Sequence, residues 1–163
     1  MNTQSFRKTY LRRDVAASVL VTEAVGLTSG ALTAEDVADW YSTLRQPALT
    51  PPDWVFGPVW TLLYAMMGVS LALVWRERRS RAAKIGLGLF LLQLGLNVSW
   101  SLVFFGERNP YGGLLVILAL VGALLFTIVA FFRVDRRAAI LLVPYLLWVI
   151  FATYLNVGIW RLN

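Results

Sequence analysis

The sequence predicts an all-α membrane protein. It forms a single domain over residues 1–163, a bundle of five transmembrane helices with a long outer loop between the first and second. Three observations predict this. Apolar residues make up 58% of the chain and mean hydropathy is +0.65, well above that of a water-soluble domain. Five apolar stretches approach the ~20 residues needed to cross a bilayer. The net charge of +6 is concentrated at the ends of those stretches, the pattern of membrane topology and not of a nucleic-acid groove. The bilayer is therefore the expected partner, and nucleic acid is not.

The spans are read in order as 15–32, 54–75, 85–105, 113–132 and 139–160. The first is the weakest, with Thr22 and Glu23 near its middle. No small-residue cleavage site follows it, so it reads as an anchor and not a signal peptide. The fourth carries no charge and is the most lipid-like. Twelve cations fall on one side of these spans: Arg7, Lys8, Arg12 and Arg13, then Arg76, Arg78, Arg79, Arg81 and Lys84, then Arg133, Arg136 and Arg137. Three fall on the other, Arg45, Arg108 and Arg161. The positive-inside rule puts the amino terminus in the cytoplasm, with the carboxy terminus and the first loop outside. For α-helical spans the bacterial inner membrane is the expected location. Trp54, Trp75 and Trp160 sit at predicted interfaces, where indoles anchor at headgroup level.

The loop 33–53 is acidic and has internal order. Thr33 with Asp36 resembles a capping box, and Val37, Trp40, Tyr41 and Leu44 follow helical spacing. A short amphipathic helix lying on the outer mouth of the bundle is expected. In "TPPD", Thr50 reads as an N-cap, Pro51 as the first helical residue and Asp53 as a complement to the helix dipole. Pro58 and Pro144 lie inside predicted helices and should kink them.

Polar and aromatic side chains converge at one depth. Trp60 and Tyr64 are one turn apart in the second span. Gln93, Asn97 and Trp100 share a face of the third, and Tyr145, Trp148, Ala152 and Asn156 share a face of the fifth. At ~1.5 Å per residue, all three sets fall mostly in the outer half of the bilayer. Each amide alone could simply join helices; together they predict an apolar, aromatic pocket with a few polar anchors. Cysteine and histidine are absent, which removes thiol chemistry, the usual general base and the common metal and haem ligands. A metal-free tetrapyrrole, held by stacking and hydrogen bonds, suits such a pocket. Ser18, Thr22, Gly26 and Gly30 recur every fourth residue, and Gly68 with Ala72 and Ala119 with Ala123 are further small pairs. These faces could serve packing within the bundle or a dimer seam. Glu23 reads as a protonated or hydrogen-bonded interior group.

The stretches "WY" at 40–41, "PPDWVFGPVWTLLY" at 51–64, "LNVSWSLVFFG" at 96–106 and "PYLLWVIFATYLNVGIWRLN" from Pro144 resemble the TspO/MBR family, the tryptophan-rich sensory and translocator proteins. The resemblance runs from about Val15 to Asn163 in order and spacing. It implies a five-helix bundle, often a homodimer, with a cavity opening toward the first loop. It also implies porphyrin binding, with protoporphyrin IX as ligand and no required cofactor, and in some members binding of sterols or drug-like molecules. Trp60, Asn97 and Ala152 match positions lining the family's pocket; Trp40, Tyr64, Trp100, Trp148 and Asn156 match its other aromatic or polar positions. Two departures stand out. Many relatives carry a tryptophan before the double proline where this chain has Leu49, and the last span reads "LNVGIWR" without the tyrosine of sterol-binding relatives. A receptor or sensor is therefore expected, ahead of a light-dependent porphyrin-degrading enzyme or a transporter. No catalytic residue and no sterol specificity are assigned.

Overall fold

The computed structural model describes the chain from residue 3, with side chains from residue 13. Five helices carry it: α1 (Thr3–Asp39), α2 (Phe56–Trp75), α3 (Arg81–Ser101), α4 (Pro110–Phe132) and α5 (Arg136–Leu162). Each is long and apolar enough to cross a membrane. Successive helices run in opposite directions, so the α1–α2 connection and the α3–α4 turn share one end, here the loop end. The described arginines and lysine between α2 and α3 and between α4 and α5 share the other, cationic end. The side chains of Arg7, Lys8 and Arg12 lie outside the described residues.

Local chemistry sets most boundaries. Ser80 caps α3 by accepting from the Ala83 amide at 3.1 Å. Asn109 caps α4 by accepting from Gly112 at 2.8 Å, with Pro110 as the first helical residue. Asp135 caps α5 by accepting from Arg137 at 2.7 Å. In each case a side-chain oxygen meets one of the amides that a helix start leaves without a partner.

Three sequence expectations are corrected. The separate loop helix does not form: α1 runs on unbroken to Asp39, and a single 3₁₀ turn, Tyr41–Thr43, follows. Thr33 is 3% exposed within the helix, and its hydroxyl donates to the Ser29 carbonyl at 3.1 Å. Capping there would have required Thr33 to leave helical geometry and break bonds that its neighbours already make. Thr50 is not a cap either; its hydroxyl donates to the Pro47 carbonyl at 2.8 Å, and a 3₁₀ turn, Asp53–Val55, precedes α2. Pro58 is the third residue of α2. It sits in the first turn, where the missing amide would have had no partner, so it has no helical bond to break. Pro144 does lie inside α5.

The helices pack in the ring order α1, α2, α5, α4, α3, with α1 returning to α3 at the loop end. The α1–α2 seam is a close approach. A Cβ at Gly68 would fall 2.5 Å from the Val19 Cα, and one at Gly26 would collide with the Tyr64 ring. Across the same seam the Thr22 hydroxyl donates to the Tyr64 carbonyl at 2.8 Å. Thr22 and Gly26 therefore serve packing within the chain, whereas nothing lies against Gly30. Glu23, expected to be protonated or hydrogen-bonded, is half-buried, and no described side chain bonds its carboxylate.

Candidate functional site

Seven of the eight expected site residues come from α2, α3 and α5, and the fold brings them together near the loop end. Trp60 on α2 is their centre. Its ring lies 5.7 Å from Tyr64, 6.2 Å from Tyr145 at 64°, and 6.5 Å from Trp148 at 89°. Phe56 closes edge-on against Trp148 at 5.9 Å. Edge-to-face pairs at these distances suit the aromatic quadrupole. They also leave faces free, and Trp60 and Trp148 are only half-buried.

A second aromatic group stands on α3. Beyond Ser101 the helix widens into one π-helical turn, Leu102–Gly106. That turn swings Phe104 and Phe105 toward the end of α1. Trp100 lies 5.6 Å from Phe104, and Trp40 and Tyr41 meet Phe104 at 6.0 and 6.3 Å. Trp40 thus joins the site through α3, on the side away from the α2–α5 seam. Turns of this kind occur often at functional sites.

Two amides link these groups. The Tyr64 hydroxyl donates to Asn97 Oδ1 at 2.5 Å, and Asn97 Nδ2 donates to the Tyr145 hydroxyl at 2.9 Å. Asn97 is 3% exposed and ties α2, α3 and α5 at one level. Trp100 Nε1 donates to Asn156 Oδ1 at 3.0 Å, and Asn156 Nδ2 donates to the Pro110 carbonyl at 2.7 Å. Ala152 is buried one turn from Trp148 and Asn156; its small side chain leaves room beside them.

The end of α1 and the connection that follows it are both fastened over this region. Arg108 donates to Asp36 through Nε and Nη2 at 3.0 and 2.9 Å, the one ion pair among the described residues. At the other end Asn163 and Arg45 pair reciprocally, the Arg45 amide to Asn163 Oδ1 at 2.9 Å and Asn163 Nδ2 to the Arg45 carbonyl at 3.2 Å. Tyr154 donates to the Ala48 carbonyl at 2.6 Å. Leu49 takes a left-handed backbone, φ 71°, and is 79% exposed. This side chain stands clear of the aromatic groups.

Sequence reasoning missed Phe104, Phe105, Phe56 and the pairing role of Tyr145. Tyr145 was legible as part of the α5 face, but nothing in the local sequence marks a π-helical turn. Among the described residues no three His, Cys, Asp or Glu side chains gather. The arrangement offers ring faces, ring edges and neutral hydrogen-bonding groups, which is the chemistry of holding a flat apolar molecule.

Residues 18–161 match the TspO/MBR family. The tryptophan-rich protein TspO of Archaeoglobus fulgidus is 42% identical over 149 residues, 91% of this chain and 96% of its own length. The human translocator protein is 44% identical over 126 residues, 76% of this chain and 75% of its own. The tryptophan-rich sensory protein of Cereibacter sphaeroides is 38% identical over 136 residues, 83% of each chain. The chain belongs to the TspO/MBR family and is a multi-pass membrane protein.

Proposed function

We propose that this TspO/MBR protein is a membrane receptor or sensor that binds porphyrins and related flat hydrophobic ligands beneath the α1–α2 connection. The observation that carries this reading is the set of four tryptophans, Trp40, Trp60, Trp100 and Trp148. They come from four helices or helix ends, and all stay half-buried toward one end of the bundle. Stacking on Trp60 and Trp148 supplies affinity. Tyr64, Asn97 and Asn156 supply the polar edge, and Ala152 the space. The same reading places the protein in an inner membrane as a homodimer, with its cationic end toward the cytoplasm.

Protoporphyrin IX is expected to quench the tryptophan fluorescence of the detergent-solubilised protein. Trp60→Ala should weaken its binding at least several-fold; unchanged affinity in that variant rejects the pocket. Light-dependent degradation has less support, because Leu49 is turned outward where a relative's tryptophan would stand. Illumination of the complex tests it: porphyrin absorption should fade no faster than in protein-free detergent.

A further inference from the structure

Two fully buried polar groups sit at the middle of the bundle with unmet hydrogen-bonding capacity. Gln93 is 0% exposed; its Nε2 faces the Met67 sulfur at 3.9 Å, and its Oε1 has no hydrogen-bond partner. Tyr145 is also 0% exposed; its oxygen accepts from Asn97, and no described acceptor takes its proton. A hydroxyl has one proton to give, and an amide oxygen can only accept. Gln93 lies one helical turn from Asn97, ~6 Å along α3 toward the cationic end. The Met67–Gln93 and Tyr64–Asn97 contacts repeat that step on α2. The unmet acceptor and the unmet proton thus belong to adjacent turns of one polar level, and a water needs only such a pair of polar partners to be held between them.

We propose that a buried water accepts from the Tyr145 hydroxyl and donates to Gln93 Oε1, and that it gives the polar chain one direction. Protons then run from Tyr64 to Asn97, from Asn97 to Tyr145, from Tyr145 to the water and from the water to Gln93. Turning the Asn97 amide over would reverse the order and strand the proton of Tyr64, a side chain 6% exposed with no other described acceptor. The direction has a consequence at the other end. Having given its proton to Asn97, the Tyr64 oxygen can only accept, and it lies beside Trp60 in the ligand region. A ligand reaching Tyr64 meets it with an N–H or O–H donor. This last step rests on the pocket reading above; the water does not.

The experiment has two arms. Infrared spectra of the membrane-embedded protein should contain a buried-water O–H stretching band that shifts on exchange into ¹⁸O water. The band should vanish in Gln93→Met and in Tyr145→Phe and persist in Tyr154→Phe. Its absence from the wild type, or its survival in either of the first two variants, overturns the water. If Gln93→Met fails to fold, Tyr145→Phe alone decides. The second arm compares carbazole with N-methylcarbazole, flat probes that differ in one ring N–H. Carbazole should bind at least threefold more tightly to the wild type, and the preference should disappear in Gln93→Met. Equal or tighter binding of the methylated probe overturns the direction. Failure of both probes to bind counts against the pocket and removes the ligand preference with it, while the infrared arm still decides the water.

Discussion

The two ends of the bundle use similar residues in opposite ways. Toward the cationic end, Phe90 and Phe131 stack in parallel, 5.8 Å apart and 6° from coplanar, and both are 0% exposed. Val74, Ala83, Leu124 and Leu142 around them are also 0% exposed. Two polar groups there bond backbone: Thr127 donates to the Ala123 carbonyl at 2.7 Å and Ser70 to the Ala138 carbonyl at 2.8 Å. Toward the loop end most ring pairs are tilted or edge-on, the four tryptophans are half-buried, and Tyr64, Asn97 and Tyr145, and Trp100 and Asn156, bond side chain to side chain from helix to helix. One end is a closed core. The other is held at fixed spacing by hydrogen bonds, which set distance without filling space. Under the proposed function, this division keeps a ligand region open while the stability of the bundle resides elsewhere.

The comparison is broken most severely at the closed end. Phe131→Ala removes a fully buried ring and should cost ~3 kcal/mol or more through the cavity it leaves. Thermal unfolding should register that loss, with porphyrin affinity within twofold of wild type below the transition. Gly68→Leu tests the seam that serves both ends. Its side chain would meet the Val19 backbone, so the helices must separate at about 1–3 kcal/mol. Because Tyr64 rides on the same seam, affinity should fall together with the melting temperature. Asn97→Leu acts at the loop end, leaving two buried hydroxyls unmet at about 1–3 kcal/mol. It should weaken porphyrin binding more than an equally destabilising change near Phe131; equal effects would dissolve the distinction between the two ends. The smallest effect is expected at the surface. A double-mutant cycle on Asp36 and Arg108 should give a coupling of ~1 kcal/mol or less, shrinking with added salt.

Much of this contrast could be read before the fold was known. Trp60 with Tyr64, and Trp148 with Ala152 and Asn156, follow from helical period alone, because residues three or four apart share a face. The misread features are those where a local cue competed with a longer helix. Thr33 looks like a cap only if the chain stops being helical there, and the residues of α1 before it give no reason to stop. Pro58 looks like a kink only if α2 starts at Trp54, whereas the 3₁₀ turn at Asp53–Val55 moves the start to Phe56. Phe104 and Phe105 depend on a π-helical turn stabilised by packing against α1 and α4, and no spacing in "SLVFFG" announces it.

By itself the sequence determined the five spans, their alternation and the depth at which aromatic and amide side chains accumulate. Those properties follow from one residue's neighbours and from the hydrocarbon that surrounds them. Only the tertiary structure decided which polar atoms meet. Tyr64 and Asn97 are 33 residues apart, and Asn97 and Tyr145 are 48. Each of these residues could equally have faced lipid, a neighbouring copy or water. In a medium without hydrogen-bond partners an unmet donor or acceptor is costly. The packing that pairs them was therefore selected across the whole bundle, and the same packing left Gln93 Oε1 and the Tyr145 proton for something smaller than a side chain to join.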